Sequence, residues 1–181
     1  MRGGGVAGVV LMAAVAAQAA PTRAQDPRVT FTVTSAAGDK LVGRGTELLL
    51  DSEGPWLIFR VPLGSMTTGV ASRDRQLRDK YLEVESYPAV ELRVARDALK
   101  IAASADVAAR LTLHGKTRET SLHYAIKKEG GFLKVSSTLR IDLRDHGIDL
   151  PSYRGVAMNP HVAVDVSFGV LDGAVVTAER Q

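Results

Sequence analysis

The sequence predicts an all-β domain, an antiparallel up-and-down barrel of about eight strands interrupted by one short helix. Three observations carry that expectation. From Val29 to Val170 apolar residues recur at every second position in run after run, the period of a strand with one buried face. The runs are separated by short turn-forming stretches such as His114-Gly115-Lys116 and Gly130-Gly131, which join antiparallel neighbours. Helical spacing is confined to one stretch, Ser72 to Val84. An open sheet of this size would expose two edges, and closure into a barrel removes them.

Ahead of the strands, Met1 to Ala24 reads as a secretory signal peptide. Arg2 supplies the positive start and Val6 to Ala20 is uncharged, apolar and small, the make-up of an h-region. Cleavage is expected after Ala24, with Ala17-Gln18-Ala19 as the alternative site. Fifteen residues are too few for a membrane span, which needs roughly 20, and no Cys follows to carry a lipid anchor. The expected organisation is therefore a signal peptide over 1–24 and one domain over 25–181, exported and periplasmic. The formal charge of +3 falls by two once Arg2 and Arg23 leave, so the basic pI does not point to nucleic acid. With no Cys in the chain, disulfides and thiolate chemistry are excluded and stability rests on packing and pairing.

The strands follow in order. Val29, Phe31 and Val33 share one face, and Leu48 and Leu50 come after Gly43-Arg44-Gly45. That lone GxG lacks the third glycine and the following helix of a phosphate loop. Leu57, Phe59 and Val61 alternate with Trp56 and Ile58, so this strand is apolar on both sides. After the helix come Val90, Leu92 and Val94; Val107 to Leu113; Leu122, Tyr124 and Ile126; Leu133 to Leu143; and Val162 to Val170. Eight strands enclose a space that either fills with side chains or holds one small ligand. Alternation alone leaves both open.

The helix carries the most distinctive residues. Ser72 is the expected N-cap. Leu77, Tyr81 and Val84 fall at i, i+4 and i+7 on an apolar face, and Asp74 with Arg78 is expected to pair on the solvated one. Pro88 closes the unit. Thr68-Gly69, Arg73-Asp74, Leu77-Arg78 and Tyr87-Pro88, in this order and spacing, resemble the signature block of the YceI-like lipid-binding family. The stretch from Leu111 to Thr117 is similar to that family's Leu-Thr-Leu-His-Gly hairpin, and Asp145-His146-Gly147-Ile148 to its Asp-Phe-Gly-Ile. The resemblance spans residues 29 to 171. The Ile-Asp usual before Thr-Gly is Met66-Thr67 here, the Phe is His146, and the family's opening Trp and His-Ser are absent, which suggests a compact branch.

The resemblance implies a lipocalin-like barrel that holds an isoprenoid, quinone or other long-chain amphiphile and needs no cofactor. On that reading Phe31, Val33, Phe59, Leu77, Tyr81, Leu92, Leu111, Leu113, Tyr124, Leu139, Ile141, Val166 and Phe168 line the cavity. Arg73, Asp74 and Arg78 stand at its mouth. The alternative is a non-enzymatic interaction module whose filled barrel partners a membrane or periplasmic protein. The oligomeric state stays open, a homodimer among the alternatives. No catalytic residue is expected: there is no Gly-x-Ser-x-Gly elbow and no Cys nucleophile. No metal site is expected either, since the four His are scattered without ligand spacing.

Overall fold

The computed structural model describes residues 21–150, 152–153 and 156–171. The strands are β1 (Thr22–Arg23), β2 (Gln25–Ser35), β3 (Lys40–Gly45), β4 (Leu49–Glu53), β5 (Trp56–Pro62) and β6 (Met66–Thr67). Helix α1 (Ala71–Gln76) follows and runs straight into a π-helical turn, Leu77–Tyr81. Then come β7 (Ala89–Ala95), β8 (Ser104–Leu113), β9 (Lys116–Glu129), β10 (Phe132–Asp142), β11 (Ser152–Tyr153) and β12 (Val156–Leu171).

Eleven strands follow one path, β1-β4-β5-β7-β8-β9-β10-β12-β2-β3-β6, and β11 pairs with β12 off that path. Every described pairing is antiparallel. The fold class expected from the alternation is therefore the observed one, with two corrections. Among the described residues the count exceeds eight because β1, β6 and β11 are two residues each, too short to show a period, and because β3 carries Gly43 and Gly45 at the inward positions where apolar residues would mark a strand. The sheet also curls into a half-barrel: among the described residues no ladder joins β1 to β6, so the curl does not close by hydrogen bonds.

The expected signal peptide over 1–24 lies mostly outside the described residues. Its last residues do not. Thr22 and Arg23 pair with Leu50 and Leu49, and Ala24 is buried in the core and donates its N–H to Leu48 O at 3.0 Å. The sheet thus begins three residues before the boundary expected from sequence.

Two glycines are set by what lies over them. Gly43 of β3 sits opposite Phe31 of β2, and the Phe31 ring occupies the space a Cβ at 43 would need. The Gly43-Arg44-Gly45 stretch is therefore a seat for inward side chains. Gly115 has φ +69° and follows His114 at φ +51°, the paired positive φ of a tight two-residue hairpin turn. A Cβ there would lie 2.8 Å from the Tyr87 ring.

On the outer face, Ile58 is 1% exposed. Its strand neighbours carry a chain of ion pairs: Asp51 with Arg60 at 2.9 Å, Arg60 with Glu91 at 2.8 Å, and Glu91 with Arg93 at 2.6 Å. Arg93 extends the chain to Glu53 at 3.1 Å. The double apolar alternation of β5 thus has a cause, since one face is core and the other is roofed by this ladder. Burial acts to raise the Glu91 carboxyl, but hydrogen bonds from Arg93 and Arg60 outweigh it and hold it below the ordinary range.

Candidate ligand-binding site

Inside the curl the buried side chains form two clusters. One gathers Phe31, Val33, Leu111, Leu113, Ile141, Met158 and Val162 at the helix end. The other gathers Val107, Leu122, Tyr124, Ile126, Leu133, Phe168 and Val170 towards the opposite pole. Leu92 and Leu139 touch both. The division follows from the strands, each of which sends the even or odd members of one run inward at successive depths.

Beneath the helix lies a cavity of about 210 Å³. Its walls are apolar side chains, mostly of β2, β5, β7, β8, β10 and β12, and its polar lining comes from Arg73, Asp74, Gln76, Arg78 and Ser152. Four of those five lie on the helical segment, which therefore works as a lid. Leu77 and Tyr81 also line the cavity from that lid. Their alignment depends on the π-helical turn, in which Leu82 N–H donates to Leu77 O at 2.8 Å, an i to i+5 bond.

One carboxylate fastens the lid. Asp74 is 7% exposed and accepts three hydrogen bonds from the strand end before it. Thr67 Oγ1 donates to Oδ2 at 2.6 Å, while Thr68 N and Thr68 Oγ1 donate to Oδ1 at 2.7 and 2.6 Å. Burial alone would raise its pKa. The Thr67 and Thr68 donors, with Arg78 nearby, overcome that and hold it below the ordinary carboxylate value. This corrects the sequence reading: Asp74 is a buried fastener and does not sit on a solvated face. Ser72 is likewise not the cap. The helix starts two residues earlier than that cap implies, at Ala71, with Val70 at the N-cap position and no side-chain cap bond.

Ten of the thirteen expected lining residues surround this cavity: Phe31, Val33, Leu77, Tyr81, Leu92, Leu111, Leu113, Leu139, Ile141 and Val166. Arg73 and Arg78 line it as well. Phe59, Tyr124 and Phe168 do not. They surround a small chamber of about 80 Å³ deeper in the curl, where the Phe59 and Phe168 rings pack at 6.0 Å between centroids and 56° between planes. Tyr124 also holds a loop, since its hydroxyl accepts from Lys100 N at 3.0 Å. The expected set also omitted wall residues on long strands, among them Val61, Val90 and Val164, whose parity is right but whose depth the pattern does not give. Leu63, Met66, Leu82 and Leu143 were missed for another reason: they stand in or beside short helical turns or a two-residue strand, where no period is long enough to give a signal.

Chemically the cavity can solvate a polar group at the lid and bury a hydrocarbon below it. Among the described residues no group of three or more His, Asp or Glu could hold a metal. His146 is buried, with Nδ1 3.2 Å from Leu113 O and 3.0 Å from Lys116 O, so it pins the β8–β9 turn. His123 bonds to Asp106 at 2.8 Å and Ser104 at 2.9 Å on the outer wall.

A curled antiparallel sheet with a lidded apolar interior defines a lipocalin-like class of protein. The chain belongs to the YceI-like domain family, whose model matches residues 21–170. Solved structures agree on the fold. A polyisoprenoid binding domain from Saccharophagus degradans aligns with a TM-score of 0.65 at 18% identity, covering 81% of this chain and 94% of that one. BcnA of Burkholderia cenocepacia aligns at 0.65 and 12% identity, over 80% and 96%. The Campylobacter jejuni YceI protein aligns at 0.58 and 13%, over 74% and 86%. No curated relative matches the chain.

Proposed function

We propose that this protein is an exported, non-catalytic carrier that holds the hydrocarbon chain of an isoprenoid, quinone or similar long-chain amphiphile under its lid. The observation that carries the reading is the cavity beneath α1, whose long strand walls are apolar and whose polar lining, Ser152 apart, comes from the lid. Each methylene moved from water into such a space is worth about 0.8 kcal/mol, so a chain of modest length supplies the drive without any charged contact. The guanidinium groups of Arg73 and Arg78 and the amide of Gln76 would meet the polar end. The polyisoprenoid binding named for the Saccharophagus degradans domain fits this chemistry. A periplasmic location follows from the N-terminal sequence.

Native mass spectrometry of the protein purified from an exporting host tests the proposal, and a co-purifying hydrophobic mass is the expected result. Truncating the lid's apolar pair, Leu77→Ala with Tyr81→Ala, should weaken binding of a polyprenol at least tenfold while lowering apo stability by less than about 2 kcal/mol, as both residues are only half-buried. Unchanged affinity in that double variant would refute the placement of the ligand under the lid.

A further inference from the structure

A second cavity tied to the barrel interior is larger than the one under the lid. At the opposite pole, between the β4–β5 turn and the loop that follows β7, a space of about 560 Å³ opens inward. Its floor reaches Phe59 and Phe168, and its walls include Leu57, Leu133, Val135 and Val170. The Phe59–Phe168 pair also bounds the small central chamber. The rings therefore stand as a septum between two compartments, in the size range of small-molecule sites on the distal side.

Three features give this pole the character of a mouth. Ile101 lines the cavity yet is 50% exposed, and Leu171, on the strand end that follows Val170, is 53% exposed, so the rim is apolar outside as well as within. The rim loop is fixed in place: Tyr124 Oη receives Lys100 N–H from inside the barrel, and Arg96 N donates to Pro55 O at 2.8 Å, which extends the β5–β7 ladder to the start of the loop. The ionisable groups that line the cavity are Asp51, Asp97 and Arg96. Asp51 is bonded to Arg60 at 2.9 Å, so two carboxylates stand against two guanidiniums and the lining holds no surplus cation.

We propose that this distal compartment is a second, separate binding site, which takes the chain of a single-chain amphiphile with an uncharged head. An apolar throat accepts the chain. A lining whose carboxylates are matched by guanidiniums gives an anionic head no spare counter-charge and leaves backbone and side-chain acceptors for a hydroxyl-bearing one. The inference shares only its ligand class with the carrier reading above, because the lid residues take no part in it.

The test is titration of the full chain with 1-monolauroylglycerol, read by native mass spectrometry. Two equivalents are expected. Ile101→Arg places a cation on the exposed rim without touching the core, and should weaken one equivalent at least tenfold. Leu133→Trp, which fills the compartment, should abolish that same equivalent, and the rim variant keeps the test decisive if the filled variant fails to fold. Leu77→Ala with Tyr81→Ala should affect the other equivalent alone. Laurate should bind the distal site more weakly than the glyceride. One equivalent that is lost in the lid variant and indifferent to Ile101→Arg overturns the second site and leaves the carrier reading standing. One equivalent sensitive to both ends overturns the septum and means a single chain threads the barrel. No binding of the glyceride in any form overturns the second site, and the carrier reading is then judged on polyprenol alone.

Discussion

Replacing Asp74 should loosen the lid by an amount that depends on pH. The carboxylate accepts three short bonds from Thr67 and Thr68, and hydrogen bonds to a charged group are each worth about 1.5–3 kcal/mol net. They are not additive here. Thr67 is exposed and Thr68 half-buried, so both regain water when the acceptor goes. Asp74→Ala should therefore cost about 3 kcal/mol, and Asp74→Asn, which keeps one acceptor oxygen, about 2 kcal/mol. With a urea slope of roughly 2 kcal/mol per molar, the Asn variant should unfold about 1 M earlier at pH 7. The folded pKa of Asp74 lies below its ordinary 3.8. Its contribution is thus fully present above that value and is lost as the pH falls through the folded pKa. Asp51, Glu91 and Asp142 are also lowered, but they are common to both proteins and cancel in the difference. The gap between parent and Asn variant should hold from pH 7 to pH 5 and narrow below pH 4. Coincident midpoints at pH 7, or a gap that persists undiminished in acid, would refute the charge-based fastening of the lid.

Three further outcomes follow from the same structure. Gly115→Val forces a β-branched residue to a φ of +69° and drives its Cβ against Tyr87, so the melting curve should record a loss of about 2 kcal/mol or more. Gly43→Val displaces the Phe31 ring into the lid cavity, which should lower stability by about 1–3 kcal/mol and reduce polyprenol binding, checked by unfolding and by titration. If the chain is exported as proposed, then because Thr22–Arg23 and Ala24 belong to the sheet the product should begin at Ala20 and not at Gln25, which N-terminal peptide mapping reads directly.

Much of this architecture was legible in the sequence, and the limits have physical reasons. Period-2 runs such as Leu133 to Ile141 showed which side of the wall each residue faces, because that is a matter of parity. Depth is different. Phe59, Tyr124 and Phe168 have the right parity for the lid cavity but sit beyond its floor, and only the register between strands reveals it. The four-residue spacing from Asp74 to Arg78 suggested a surface pair, yet the stronger partners, Thr67 and Thr68, lie upstream on the preceding strand end. A local helical pattern carries no information about them. The two-residue strands were invisible for want of length. Ile58 showed the reverse case: its apolar character on the outward face was plain, but the Arg60–Glu91–Arg93 roof that justifies it comes from two strands far apart in the chain.

The π-helical turn of the lid has a consequence for how this pocket can change over evolutionary time. A π turn is an α-helix carrying one residue more than its hydrogen-bonding needs. Deleting a single residue between Leu77 and Tyr81 would restore the regular i to i+4 ladder without breaking the helix or the Asp74 fastening ahead of it. Every side chain after the deletion would swing by about 100° around the axis, carrying Tyr81 and Leu82 away from the cavity and presenting others in their place. The ceiling of the site can thus be exchanged wholesale by one codon lost or gained, while the strands that form its walls stay as they are.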